Sequence, residues 1–107
     1  MHGRFVSIIN SDKPVLVDFY ADWCSPCKQM PPILKEVKSE LKDNVRIIKV
    51  NVDKNPAIAT HYQIRSIPTV IIFKNGEPCW TGIGLRPADE IKTVLKQQLK
   101  VPNQETF

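Results

Sequence analysis

Long apolar runs, glycine and cysteine are all scarce in this chain of 107 residues. A helix that crosses a membrane needs about 20 consecutive apolar residues. The apolar stretches here, such as residues 70–73, are only a handful long. Met1-His2-Gly3-Arg4 leads into a mixed segment without the apolar stretch of a secretory signal. The expectation is therefore a cytoplasmic protein with no membrane partner. Three cysteines are too few, and odd in number, for a disulfide scaffold. Four glycines against nine prolines argue against a flexible low-complexity chain. An excess of one charge is also missing: fifteen Lys and Arg face eleven Asp and Glu, and the net +4 is scattered. Lys92, Lys96 and Lys100 share one helical face, as do Lys35, Lys38 and Lys42. No aromatic residues interleave with them, so they read as solvated helix faces and no nucleic-acid partner is expected.

What is present is enough for one core. Apolar residues make up 42% of the chain, and the length suits one domain over residues 1–107, with a polar tail from about residue 101 that is expected to fray. Val15-Leu16-Val17-Asp18-Phe19-Tyr20 is nearly all apolar and suits a strand covered on both faces. Met30, Ile33, Leu34, Val37 and Leu41 then recur at helical spacing. Residues 45–52 are rich in β-branched side chains and predict a second strand. Asn55-Pro56 reads as an N-cap with proline at the first helical position, opening a short helix through Tyr62. Thr69-Val70-Ile71-Ile72-Phe73 predicts a buried strand. Asn75-Gly76 predicts a type I′ turn that folds Glu77–Ile83 back antiparallel. Ile91, Val94, Leu95 and Leu99 line one side of a final helix. The order β-α-β-α-β-β-α is that of an α/β fold, a central mixed sheet flanked by helices.

The chemistry gathers where the first strand meets the first long helix, at Trp23-Cys24-Ser25-Pro26-Cys27-Lys28. A C-x-x-C pair in this setting reads as a redox pair, since two intervening residues bring the sulfurs within bonding range across one helical turn. A helix N-terminus offers free N–H groups and partial positive charge. Both favour a thiolate at Cys24, the residue nearer that end, which makes it the nucleophile. Cys27 lies a turn deeper and is expected to be less exposed; its role is to resolve the mixed disulfide. Inert packing and half of a zinc site are the competing readings. Zinc needs four ligands in a structural site, and only Cys79, His2 and His61 remain, without a second paired motif. Asp18, a carboxylate inside an apolar strand, is expected to have a raised pKa through burial.

The segment from Val15 to Lys28 resembles the active-site segment of the thioredoxin family. Val50-Asn51-Val52-Asp53, Ile64-Arg65-Ser66-Ile67-Pro68-Thr69, Phe73-Lys74-Asn75-Gly76 and Ile83-Gly84 follow in that family's order. The resemblance runs from about Phe5 to Leu99. It implies a protein-disulfide reductase whose partners are disulfide-bearing substrate proteins and an NADPH-dependent thioredoxin reductase. It implies no cofactor or metal beyond a redox-active Cys24–Cys27 disulfide. It further implies that Asp18 handles the proton of Cys27 with Lys49 as its partner, and that Ile67-Pro68 is a cis bond facing the cysteines. Trp23, Ser25, Pro26, Ile67, Pro68, Ile83 and Gly84 would receive the substrate. A binding module with an incidental dithiol, and an oxidase or isomerase with a shifted potential, are the alternatives.

Four departures from the family pattern carry expectations. Ser25 stands where the family has glycine; its hydroxyl near the sulfurs is expected to raise the potential slightly. The N-terminal segment leaves almost no residues for the family's first strand. That predicts a four-stranded sheet with residues 45–52 as an exposed edge, in a protein that is mostly monomeric but able to pair through that edge. Cys79 is additional, either a half-buried small side chain or a regulatory thiol. Pro31 adds to a family kink at Pro32, predicting a sharper or broken turn inside the first long helix.

Overall fold

The computed structural model describes residues 3–100. The expected frayed tail at 101–107, and His2, lie outside these residues. The chain runs α1 (Gly3–Ile9), β1 (Val15–Tyr20), a 3-10 turn (Pro26–Gln29), α2 (Met30–Leu41), β2 (Arg46–Asn51), α3 (Pro56–His61), β3 (Thr69–Lys74), β4 (Glu77–Ile83) and α4 (Ala88–Lys100). The four strands form one mixed sheet in the order β2-β1-β3-β4. β1 pairs parallel with β2 and antiparallel with β3, and β3 pairs antiparallel with β4. This is the expected α/β architecture, with four strands and with β2 at an edge. No strand precedes α1 among the described residues.

Each face of the sheet buries its own core. Leu16, Val70 and Ile72 pack with Met30, Leu34 and Val37 of α2 and Ile91 and Leu95 of α4. On the other face Val17, Phe19, Ile71 and Phe73 pack with Phe5 and Ile9 of α1 and Ile58 of α3. β1 and β3 are central and covered on both sides, which explains their unbroken apolar runs. Full burial of a side chain such as Phe19 contributes roughly 2–3 kcal/mol. Asn75 and Gly76 take φ of 53° and 83°, as a type I′ turn requires. Their N–H groups donate to Ser11 O and Ile9 O, tying the hairpin tip to the end of α1.

Four expectations need correction. The expected break in the first long helix is present, but it lies just before Pro31 and Pro32 and not at them. The chain breaks from the 3-10 turn to α2 at Gln29–Met30, and the two prolines fall in the first turn of α2, where an N–H has least use. The lysine stripe on α4 does not simply face solvent: Lys92 reaches Glu36, at 2.7 Å, and Glu40, and Lys96 pairs with Glu40, joining α4 to α2. Lys38 donates to Val45 O at 2.6 Å. Asn55 does not cap α3 with its side-chain oxygen; its amide donates to Asn51 O at 3.0 Å. Cys79 is exposed rather than half-buried. It is the extra residue of a β-bulge, because Ile72 pairs with Trp80 while Phe73 pairs with Pro78.

Candidate active site

β1 ends at Tyr20 and delivers the chain to the start of the 3-10 turn, where Cys24 and Cys27 form a disulfide with Cα atoms 5.3 Å apart. Ser25 already has helical φ and ψ, and Pro26 opens the turn without needing an N–H. The next free N–H, that of Cys27, points at Cys24 Sγ at 3.2 Å. A donor held on this sulfur stabilises it as a thiolate once the disulfide opens. Contrary to expectation, Cys27 is not the less exposed of the two: Cys24 is 3% and Cys27 6% exposed. With the sulfurs bonded to each other, both are covered by Ala21, Tyr20, Val52 and Ile67. A cleft of about 310 Å³, lined by Tyr20, Ala21, Pro31 and Lys49, reaches Cys27.

Asp18 is fully buried, and neither carboxylate oxygen has a hydrogen-bond partner. Strand alternation places it on the same face as Leu16, beneath the helix that follows the cysteines. Burial pushes its carboxyl up to about 6, against a weaker downward pull from Lys49. Lys49 is its register neighbour on β2 but not a contact partner. The ammonium instead lies over the Tyr20 ring, 4.3 Å from its centroid. Lys49 therefore acts on Asp18 through space, with no direct ion pair between them.

The remaining expected residues divide into two groups around the disulfide. Ile67 packs directly against the cysteine cluster, and the Ile67–Pro68 peptide is cis. Gly84, at φ +80°, donates its N–H to Pro68 O at 2.8 Å, which brings the end of β4 beside that loop. Ile83 stands 63% exposed opposite Thr69. On the other side Trp23 is 71% exposed, and Pro26 and Ser25 are exposed beside it. The Ser25 hydroxyl makes no capping bond.

One residue of the site was not assigned a role from the sequence. Asp53 accepts a 2.8 Å hydrogen bond from Trp23 Nε1. Asn51 organises the loop that carries it, accepting from Asp53 N at 2.9 Å and Lys54 N at 3.2 Å. The only signal was Asp53's place in the Val50-Asn51-Val52-Asp53 segment. Among the described residues no three His, Cys, Asp or Glu side chains gather at metal-binding spacing.

The comparisons with known proteins agree with this geometry. A family model described as Thioredoxin matches residues 2–97. Chloroplastic thioredoxin Y1 of Arabidopsis thaliana is 48% identical over 94 residues, which are 88% of this chain and 55% of that protein. The chain thus spans about half the length of that relative. A thioredoxin of Rickettsia felis is 51% identical over 84 residues, 78% of this chain and 80% of that one. Oxidised mitochondrial thioredoxin 3 of Saccharomyces cerevisiae superimposes with a TM-score of 0.78 at 32% identity, covering 88% of this chain and 87% of that one.

Proposed function

This chain belongs to the thioredoxin family, and on that premise we propose that it works as a protein-disulfide reductase, with Cys24 as nucleophile and Cys27 as resolving thiol. The family is one of thiol–disulfide oxidoreductases, and the disulfide-linked Cys24–Cys27 pair is the exchange centre. The observation that carries the assignment of roles is the Cys27 N–H held on Cys24 Sγ. It singles out Cys24 as the sulfur whose thiolate is stabilised.

The reduced protein begins as a Cys24 thiolate and a Cys27 thiol. The thiolate attacks one sulfur of a substrate disulfide, forming a Cys24–substrate bond and releasing the other substrate sulfur as thiolate. Cys27 then loses its proton and attacks Cys24 Sγ. The Cys24–Cys27 bond forms and the second substrate sulfur leaves, so two electrons pass to the substrate. A buried carboxyl near pH 6 is suited to taking the Cys27 proton at neutral pH, which is the role proposed for Asp18. Lys49 would tune that carboxyl from the mouth of the cleft.

Trp23, Ser25, Pro26, Ile67, Ile83 and Gly84 would form the landing surface, with the backbone at Ile67 pairing with an extended substrate segment and Pro68 holding that loop. Disulfide-bearing proteins are the substrates, and an NADPH-dependent thioredoxin reductase would restore the dithiol. Such a carrier suits a reducing compartment such as the cytoplasm. Family membership favours this reading over a binding module. Insulin reduction driven by dithiothreitol tests it: both Cys24→Ser and Cys27→Ser should abolish catalysis. Full activity in either variant contradicts it.

A further inference from the structure

β2 is the end strand of the sheet. Its ladder to β1 is marked by Arg46 N donating to Pro14 O at 3.0 Å and Val52 N to Tyr20 O at 2.8 Å. In a parallel ladder, alternate residues turn both backbone groups toward the same neighbour. The residues in phase with Arg46 and Val52 therefore face β1, and Ile47 and Lys49 turn their N–H and C=O groups off the sheet. Beside this edge a groove of about 450 Å³ runs between α1, β2 and α3. Phe5, Ile8 and Ile48 give it an apolar wall, and Arg4 and Arg46 give it a cationic rim with no acidic side chain in the lining.

Arg4 and Arg46 are exposed, and neither guanidinium has a hydrogen-bond or ion-pair partner among the described residues. Among the described residues this edge is unpaired, and together with the apolar groove along it and the unneutralised positive charge it calls for one kind of occupant. A strand supplies the backbone groups, alternate apolar side chains fill the groove, and carboxylates meet the cations. A second copy of this chain fits poorly, because edge-to-edge pairing would bring Arg46 and Lys49 of each copy against the same cations of the other.

We propose that the outer edge of β2 docks an acidic extended segment of a partner protein, added to the sheet as a further strand. This surface is separate from disulfide exchange at Cys24 and needs no cysteine in the partner.

Amide NMR of the oxidised, isotope-labelled protein tests it, with a blocked octapeptide of alternating Glu and Val as the probe and the Lys–Val peptide as control. The Glu–Val peptide should shift the amides of Ile47 and Lys49. Binding should weaken by about five-fold or more in the Arg4→Glu, Arg46→Glu double variant, while insulin reduction by that variant stays unchanged. Unmoved Ile47 and Lys49 amides, or equal response to the Lys–Val peptide, would overturn the proposal. So would shifts of these amides that follow protein concentration without peptide, which would show a second copy at the edge.

Discussion

The Trp23 indole N–H donates a 2.8 Å hydrogen bond to Asp53 Oδ2, across 30 residues of sequence. Trp23 is 71% exposed, so this bond, rather than burial, fixes the ring that borders Cys24. Asp53 is in turn held by a loop wound on the buried Asn51. Removing the acceptor should loosen the rim of the site without touching either sulfur. Asp53→Ala is expected to lower kcat/KM for insulin reduction about 5-fold, the equivalent of ~1 kcal/mol for one lost hydrogen bond. Asp53→Asn keeps a side-chain oxygen and should lose less. Equal kcat/KM in wild type and Asp53→Ala would show that the bond does not position the ring for catalysis.

Asp18 gives a prediction in pH. Its folded carboxyl, at about 6, lies above the ordinary 3.8, so the folded state holds the proton more tightly than the unfolded chain. Its contribution to stability is therefore fully present below about pH 4 and is lost as pH rises through 6. Above that, the buried charge destabilises by roughly 3 kcal/mol. Asp18→Asn should raise unfolding free energy in urea by about 2–3 kcal/mol near pH 7.5, with the gain vanishing near pH 4. The same variant should reduce insulin more slowly. A variant no more stable near neutral pH contradicts the buried carboxylate, and unchanged turnover across about pH 6–9 removes its proton-transfer role.

Cys79 should be a slow thiol. Its Sγ lies 3.3 Å from Ile72 O, positioned to donate to it, and although the residue is exposed, desolvation of the sulfur against the strand pushes its pKa up. Cys24 has the opposite environment, with an N–H directed at its sulfur. With the active-site disulfide reduced, iodoacetamide near neutral pH should label Cys24 well before Cys79. Cys79→Ser should leave insulin reduction unchanged. Faster labelling of Cys79 would contradict this ordering.

Gly82 is needed for space. A Cβ there would run into the Trp80 indole and sit 2.9 Å from Arg86 Cγ. Trp80 packs against the core between the sheet, α2 and α4, so the ring has little room to yield. Gly82→Ala should destabilise by about 1–3 kcal/mol, as overpacking does, read as a lower Tm. An unchanged Tm would show that the indole can move aside.

Much of this structure was legible because its signals are local. The two-sided burial of β1 and β3 left unbroken apolar runs, Asn75-Gly76 announced its turn, and Cys24 and Cys27 declared themselves by spacing and by their place after a strand. What escaped depends on contacts made across the fold. No pattern near Trp23 points to Asp53, thirty positions away. Lys49 is beside Asp18 in register, yet its long side chain settles on Tyr20, where the ammonium stays near solvent. The helical face of Lys92 and Lys96 looked solvated until α2 brought Glu36 and Glu40 opposite it. The bulge that exposes Cys79 shows only once Pro78 and Trp80 are set against their partners in β3.

The central claim is that Cys24 makes the first bond to substrate and Cys27 breaks it. The most direct measurement traps that bond. Cys27→Ser, reduced and mixed with an oxidised protein substrate, should accumulate a mixed disulfide that peptide mass spectrometry locates at Cys24, while Cys24→Ser should accumulate none. A stable adduct at Cys27 in the Cys24→Ser protein, or at Cys79 in either variant with Cys24 unlabelled, would contradict the account.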